Sequence, residues 1–177
     1  VDTCGTGGSG LKTINTSTIV AFLVAAAGGQ VAKHGNRSSS GNCGCFDVLE
    51  QLGAVIELTP EQEQQVFAEL GIVFLFAKVH HPAMRHVAAA RKAYGKRTIF
   101  NLLGPLCSPA NVRRQLIGTG TKENVALLAG ALTELGCDQG LVVVGEDGLD
   151  ELTICGTTEG VHVPSGEEEV FDPTVVG

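Results

Sequence analysis

The sequence predicts an α/β fold with a central, mostly parallel sheet flanked by helices. Segments with helical periodicity alternate along the chain with short apolar runs, as in α/β proteins. The runs 72–76 and 141–144 are continuously apolar, which is typical of parallel strands buried on both faces. With 177 residues, 44% of them hydrophobic, and a mean hydropathy of +0.21, the chain can bury one sizeable core. We therefore expect a single α/β domain over residues 1–177.

The first half of the chain predicts helices and strands in alternation. Residues 17–27 are apolar, begin with Ser and Thr at the N-cap position and end at a glycine pair, which indicates a buried helix. A short strand is expected at 30–33 and a helix at 46–52. A capping box with proline at the first helical position begins a helix over 60–70. The strand 72–76 follows it directly.

The second half continues this alternation and then loses it. A helix is predicted at 82–94, a strand at 115–118, a helix at 122–135 and a buried strand at 141–144. After residue 153 the pattern weakens to short strand-like pieces such as 161–163.

Charge is distributed unevenly along the chain, whose net charge is −7. Residues 1–122 hold all 12 basic and 7 of the 19 acidic residues, a net charge of +5, whereas residues 123–177 hold 12 acidic and no basic residues, a net charge of −12. This asymmetry favours one part that attracts an anion and another that offers carboxylates. The alternative is a solvated acidic end, as for the Glu run 167–169. Nucleic-acid binding is disfavoured, because basic and aromatic residues do not interleave and aromatics make up 5% of the chain.

The sequence carries no transmembrane segment or signal-peptide pattern, so we expect a cytoplasmic protein that does not bind membranes. The longest uncharged stretch, 13–32, contains too many polar residues for a span. Six cysteines do not form the dense framework of a small secreted domain, and reduced thiols are expected. Cys43 and Cys45 are too close for the usual C-x-x-C zinc spacing.

The glycine loop, residues 4–13 (CGTGGSGLKT), is the first motif that carries chemistry. Glycines let backbone N–H groups approach phosphate oxygens, and the helix that follows adds free donors at its N-terminus. The loop matches the dinucleotide fingerprint G-x-G-x-x-G, but no acidic residue for a ribose lies between Asp2 and Asp47. Leu11 interrupts the contiguous G-K-[ST] of a P-loop. The loop therefore predicts an anion cradle of another kind, with an ordinary glycine turn as the alternative.

A cluster of polar side chains lies at the end of a predicted strand. Lys33, His34, Asn36 and Arg37 cluster at the end of the strand 30–33, where ligands bind in open α/β sheets. Such a cluster of donors suits an anionic substrate.

Adjacent carboxylates, Asp150 and Glu151, follow the strand 141–144. They suit Mg²⁺, which takes one or two protein carboxylates together with phosphate oxygens of a substrate. Two further blocks, HPAM at 81–84 and RTIFNLLGPL at 97–106, flank Arg91.

Together these motifs resemble the anthranilate phosphoribosyltransferases, which transfer the 5-phosphoribosyl group from 5-phosphoribosyl 1-pyrophosphate (PRPP) to anthranilate in tryptophan biosynthesis, giving N-(5-phosphoribosyl)anthranilate and pyrophosphate. The G-T-G-G loop, N-x-S-T, K-H-G-N-R, H-P-A-M, R-T-x-F-N-x-L-G-P-L and D-E motifs occur in the family's order and with family-like spacing over nearly the whole chain. The resemblance implies a Mg²⁺-dependent pentosyltransferase.

The resemblance also implies three sets of site residues. PRPP would be held by Gly5, Thr6, Gly7, Gly8, Ser9, Thr13, Asn15, Ser17, Thr18, Lys33 and Cys45. Anthranilate would be held by Gly5, His34, Asn36, His81 and Arg91. Mg²⁺ would be held by Ser17, Asp150 and Glu151. No covalent nucleophile is expected, because the amine of anthranilate attacks C1 of the ribose directly while metal and backbone donors stabilise the departing pyrophosphate.

The chain departs from the family in three respects. Ser9 stands where the family has Asp, and Cys45 stands where a small Ser or Gly is usual. The family's N-terminal helical region, which forms a small domain and the dimer contact, and its final helices have no counterpart here. We therefore expect a fragment of a longer chain that is a homodimer at full length. Two alternatives stay open: a non-catalytic relative that binds PRPP or phosphate, and a pyrimidine nucleoside phosphorylase-like enzyme.

Overall fold

The computed structural model describes residues 1–7, 9–11, 13–38 and 43–175. The strands are β1 (Asp2–Gly5), β2 (Val31–Gly35), β3 (Ile72–Phe76), β4 (Arg114–Gly118), β5 (Gln139–Gly145), β6 (Thr158–Val163) and β7 (Glu168–Phe171). The helices are α1 (Thr16–Ala26), α2 (Cys45–Gln51), α3 (Pro60–Leu70), α4 (Ala77–His80), α5 (Arg85–Tyr94), α6 (Phe100–Leu103) and α7 (Lys122–Glu134), and the 3₁₀ turns are Pro82–Met84 and Gly104–Leu106.

The main sheet has the strand order β1-β4-β5-β6-β7. Strands β1, β4 and β5 are parallel, whereas β6 and β7 pair antiparallel at one edge. The parallel pair β2 and β3 lies beside β1, where the Ala32 N–H donates to the Val1 carbonyl at 3.1 Å. These pairings confirm the predicted mostly parallel sheet flanked by helices.

The core lies between this sheet and the helices that cover it. Leu128 and Leu132, one turn apart on α7, pack with Ile117 of β4 and Val142 of β5 into one buried cluster. A second cluster joins α2 to β3 through Phe46, whose ring stacks on Phe76 with centroids 4.6 Å apart. Residues from β2, α3 and β3 form a third cluster. Within the described residues, no helix has both the length and the apolar character that crossing a bilayer requires.

Helix α3 has the bounds that the sequence predicts, because the residues that begin and end it act through local contacts. The Thr59 side chain accepts a hydrogen bond from the Gln62 N–H at 3.3 Å, and the Gln62 side chain accepts one from the Thr59 N–H at 2.9 Å. Gly71 ends the helix in the left-handed conformation, with a φ of 70°. Strand β3 also has its predicted bounds, and α1, α2 and α7 agree with theirs within one residue at each end.

Other elements correct the sequence predictions. Strand β2 runs to Gly35 rather than ending at residue 33, because its ladder with β3 continues to Phe76 and carries Lys33 and His34 inside the strand. The helix predicted at 82–94 begins as the 3₁₀ turn Pro82–Met84 and becomes α-helical only at Arg85.

The segment after residue 153 is also more regular than its pattern predicted. It forms the antiparallel strands β6 and β7, and β6 pairs with β5 over six residues. Pairing with an edge of an existing sheet gives this segment order that its own composition does not signal.

Candidate active site

The glycine loop and the acidic pair meet at the carboxyl edge of the main sheet. Strands β1 and β4 are in register, with Gly5 opposite Gly118, so the segments that follow them emerge side by side. The Thr6 N–H donates to the Gly118 carbonyl at 2.9 Å. Beyond it, the Gly7 N–H donates to Oδ2 of Asp150 at 2.7 Å. Residues 143 positions apart in sequence are therefore in direct contact.

Two glycines make room for Asp150. A Cβ placed on Gly5 would lie 2.3 Å from Oδ2 of Asp150, and a Cβ placed on Gly118 would lie 1.8 Å from the Asp150 carbonyl oxygen. Both distances are far below van der Waals contact; at Gly118 the clash is with backbone, so that position requires glycine, whereas at Gly5 the nearest atom is the end of the Asp150 side chain. The close approach explains why glycine stands at the end of each of these neighbouring strands.

Glu151 lies against the start of α1. Burial raises the pKa of its carboxyl above the ordinary value, while the Thr16 hydroxyl opposes the shift and the charge of Asp150 adds to it. Asn15 caps α1: its Oδ1 accepts from the N–H and the hydroxyl of Thr18, at 3.1 and 2.6 Å. The acidic pair therefore joins the glycine loop to the N-terminus of α1, where Ser17 lies.

Lys33, on β2, is buried against β1. It is 2% exposed, and its Nζ donates to the carbonyl of Thr3 on β1. Asp2, also on β1, is fully buried, and its Oδ2 accepts from the His34 N–H at 3.2 Å. Burial raises the pKa of Asp2, and the positive charge of Lys33 opposes that shift. The Lys33 ammonium thus contributes positive potential near Cys4, where the glycine loop begins, and near Glu151.

His34 and His81 form a hydrogen-bonded pair, although they are 47 residues apart. Their Nε2 atoms are 3.1 Å apart, and Nδ1 of His34 donates to the Gly104 carbonyl at 3.3 Å. Burial, together with the neighbouring His81, lowers the pKa of His34 to about 4, so the His34 imidazole is neutral near pH 7. With its proton on Nδ1, His34 accepts at Nε2, and His81 is the donor of this bond.

The side chains of Arg91 and Asn36, which are also proposed to bind anthranilate, contact neighbours other than the two histidines. The Arg91 guanidinium carbon lies 5.2 Å from the centre of the Phe100 ring. The Asn36 side chain accepts from the N–H of the next residue at 2.8 Å. The described contacts do not join Arg91 or Asn36 to the histidines.

The remaining residues proposed for PRPP differ in their surroundings. The Thr6 hydroxyl is 3.5 Å from that of Thr119, and Ser9 is half-buried. Cys45 is buried at the start of α2, where burial raises the pKa of its thiol and Lys33 opposes the shift. Thr13 is exposed, and Gly8 lies outside the described residues.

Comparison with known families matches residues 1–175 to the glycosyl transferase family, a/b domain. The chain belongs to this glycosyl transferase family. It is 51% identical over 171 residues to the anthranilate phosphoribosyltransferase of Desulfitobacterium hafniense and 52% identical over 172 residues to that of Rubrobacter xylanophilus, in each case over 97% of this chain. The chain spans about half the length of these curated relatives, 51% and 50%. The resemblance inferred from the motifs is confirmed.

Solved structures confirm the fold of this glycosyl transferase domain. The crystal structure of anthranilate phosphoribosyltransferase from Thermus thermophilus superposes with a TM-score of 0.93 at 48% identity, over 99% of this chain and 52% of that one. The enzyme from Saccharomyces cerevisiae in complex with PRPP and Mg superposes with a TM-score of 0.92 at 31% identity, over 99% of this chain and 49% of that one.

Arg97 contacts the glycine loop, a contact that the sequence did not predict. Its Nη2 donates to the Gly7 carbonyl at 3.0 Å, so the Gly7 residue is held by Asp150 at its N–H and by Arg97 at its C=O. The sequence placed Arg97 only at the start of the 97–106 block. No local pattern signals a contact between residues 90 positions apart.

The donors around Asp150 and Glu151 fit Mg²⁺. Among the described residues, no group of three or more His, Cys, Asp or Glu side chains is arranged to hold a metal ion. The two carboxylates offer oxygen atoms only, and Mg²⁺ takes such a partial set when water and substrate oxygens complete it.

Proposed function

We propose that this chain is the α/β part of an anthranilate phosphoribosyltransferase, which transfers the 5-phosphoribosyl group of PRPP to anthranilate and releases pyrophosphate. The observation that carries the proposal is the hydrogen bond from the Gly7 N–H to Asp150, which joins an anion-binding loop to a pair of carboxylates. The relatives named above, at about half the residues identical, support the assignment.

The donor half of the reaction uses the carboxyl edge of the main sheet. Asp150 and Glu151, with Ser17, would hold Mg²⁺, which neutralises charge on the pyrophosphate when it is bound. The backbone N–H groups of the loop and the buried ammonium of Lys33 add positive potential from the protein side. The yeast relative, solved with PRPP and Mg, supports this cofactor.

The acceptor half uses the segment after β3 and the end of β2. His34, Asn36, His81 and Arg91 would orient anthranilate, with Arg91 on its carboxylate. The amine of the substrate is the nucleophile, so orientation against C1 is what the protein must supply. A structure of the yeast enzyme in complex with 4-fluoroanthranilate, which superposes with a TM-score of 0.86 at 30% identity, supports an acceptor of this class.

The proposal extends to the setting of the full-length protein, which would be a cytoplasmic homodimer without nucleic acid or membrane as a partner. All six cysteines are free thiols, as is typical of a reducing compartment. The net charge of −12 over residues 123–177 would repel nucleic-acid phosphates. Light scattering on the full-length protein measures whether two copies associate.

Turnover by the full-length protein tests the proposed function. PRPP, anthranilate and Mg²⁺ are mixed with the protein, and the loss of anthranilate fluorescence is followed alongside pyrophosphate release. We expect both signals to require all three reactants and to stop when EDTA is added. Phosphorolysis of uridine or thymidine with inorganic phosphate is measured in parallel. Turnover only in that second assay would favour a pyrimidine nucleoside phosphorylase, and turnover in neither would favour a non-catalytic relative.

Replacing Arg91 by Ala is expected to raise the KM for anthranilate at least about tenfold while the KM for PRPP changes less than about twofold. A charge-assisted contact with a carboxylate contributes about 1.5–3 kcal/mol, which corresponds to this range. Arg85→Ala, at an exposed position on the same helix, is the control. Equal changes in both KM values would show that Arg91 acts only through its packing on Phe100.

Replacing Arg97 by Met is expected to raise the KM for PRPP about fivefold and leave the KM for anthranilate nearly unchanged. Met keeps the unbranched stem and removes the donor to the Gly7 carbonyl, a loss of about 1 kcal/mol. Arg113→Met, which removes an exposed guanidinium paired with Asp138, is the control. A KM for PRPP equal to that of the unchanged protein would contradict a role for Arg97 in holding the loop.

A further inference from the structure

Glu63 and His80 form a buried pair that the proposed substrate contacts do not use. Glu63 is only 6% exposed although it lies on α3, a helix rich in Glu and Gln. Its Oε1 accepts a hydrogen bond from Nε2 of His80 at 2.8 Å, and the side chains are 7% and 14% exposed. Carboxylates are seldom buried without a partner, because desolvation is costly. Each side chain therefore constrains where the other can lie.

The pair fixes a segment that has little stability of its own. His80 is the last residue of α4, which has only four residues and leads into the 3₁₀ turn Pro82–Met84. An isolated helix of this length is not stable by itself. The His81 N–H donates to the Ala77 carbonyl at 2.9 Å within the same segment, whereas the bond from His80 to Glu63 ties it to α3.

The next residue, His81, makes the contact with His34 that is proposed to serve anthranilate binding. Its Nε2 is 3.1 Å from Nε2 of His34, and His34 donates through Nδ1 to the Gly104 carbonyl. The two rings meet nearly edge to face, with an interplanar angle of 79°. The orientation of the His81 ring depends on where the backbone of residues 80–81 lies. The direction in which the ring Nε2–H points depends on that backbone as well.

We infer that Glu63, acting through His80, is a positioning residue that sets the His81 imidazole in the acceptor site. The inference rests on the proposed function, because it assigns His81 to the anthranilate side. It follows that Glu63 supports acceptor binding and not PRPP binding, since the glycine loop and the acidic pair lie on other elements. If the bond between Glu63 and His80 only held α3 and α4 together, its loss would lower stability. The tautomeric states of His34 and His81 would then stay unchanged.

The test compares two variants of Glu63. Glu63→Leu removes the hydrogen-bond acceptor of His80 with little change in side-chain size, whereas Glu63→Gln keeps an oxygen that can accept this bond and removes the charge. Glu69→Leu makes the same chemical change at an exposed position of α3 and is the matched control. We expect Glu63→Leu to raise the KM for anthranilate about tenfold with the KM for PRPP within about twofold. Glu63→Gln is expected to restore most of the affinity, and Glu69→Leu to behave as the unchanged protein.

Imidazole ¹⁵N spectra of the full-length protein without substrate give a second readout that does not depend on turnover. In Glu63→Leu, the His34 and His81 nitrogens are expected to move from distinct protonated and unprotonated positions toward tautomer-averaged values. His34 and His81 resonances unchanged in Glu63→Leu would overturn the inference, as would equal changes in both KM values. If Glu63→Leu does not fold, His80→Ala removes the same bond from the other side. Absence of turnover in the unchanged protein refutes the proposed function, while the spectra still decide the positioning role.

Discussion

Replacing Asp150 by Asn and Glu151 by Gln together is expected to lower kcat for the PRPP reaction by at least about 10³-fold. The amides keep the size of the carboxylates, and Oδ1 of an Asn can still accept from the Gly7 N–H, so the glycine loop stays in place. The pair loses the negative charge that would hold Mg²⁺. Loss of about 4 kcal/mol of charge stabilisation at the leaving pyrophosphate corresponds to this factor.

Titration calorimetry of PRPP with and without Mg²⁺ separates the metal from the loop. In the double variant, PRPP affinity is expected to become insensitive to Mg²⁺. The matched control is Glu167→Gln with Glu168→Gln, an adjacent pair of exposed carboxylates, which should leave affinity and kcat unchanged. Mg²⁺-dependent PRPP affinity that survives in the double variant would remove Asp150 and Glu151 from the metal site.

Elements with signals in their own sequence were predictable. Helix α3 carries its capping box at one end and Gly71 at the other, and these residues perform those functions through contacts within four positions. Strand β3 is continuously apolar and was predicted for that reason. Strand β1, which was not predicted, has only four residues, and its pairing with β4 supplies the order that its sequence does not indicate.

Contacts that depend on chain topology were less predictable. The motifs indicated which residue types belong to the site, but not that Asp150 accepts from Gly7 or that His34 bonds to His81. Those contacts arise because parallel strands deliver their following segments to the same edge of a sheet. The contact between Arg97 and the glycine loop was not predicted for the same reason, since the two partners are 90 residues apart.

Glycine at position 118 could not be assigned a role from sequence, and its replacement by Ala is expected to disable the site. The new Cβ would lie 1.8 Å from the carbonyl oxygen and 2.3 Å from the carbonyl carbon of Asp150. These are backbone atoms, so no side-chain rotation relieves the clash, and the segment that carries Asp150 and Glu151 must move. We expect the free energy of unfolding to fall by about 3 kcal/mol and Mg²⁺-dependent turnover to be lost.

Two further glycine variants separate this clash from a general effect of adding a methyl group. In Gly5→Ala the nearest atom is Oδ2 of Asp150, the end of a side chain that can rotate, so stability should fall less while the bond from Gly7 to Asp150 is broken. In Gly130→Ala nothing lies within 4 Å of the new Cβ on α7, and stability should rise by about 0.5–1 kcal/mol. For all three variants, chemical denaturation measures the free energy of unfolding and calorimetry measures the affinity for PRPP. Gly118→Ala with the affinity and stability of the unchanged protein would show that Asp150 does not need this close approach, and the geometry proposed for the metal site would then be wrong.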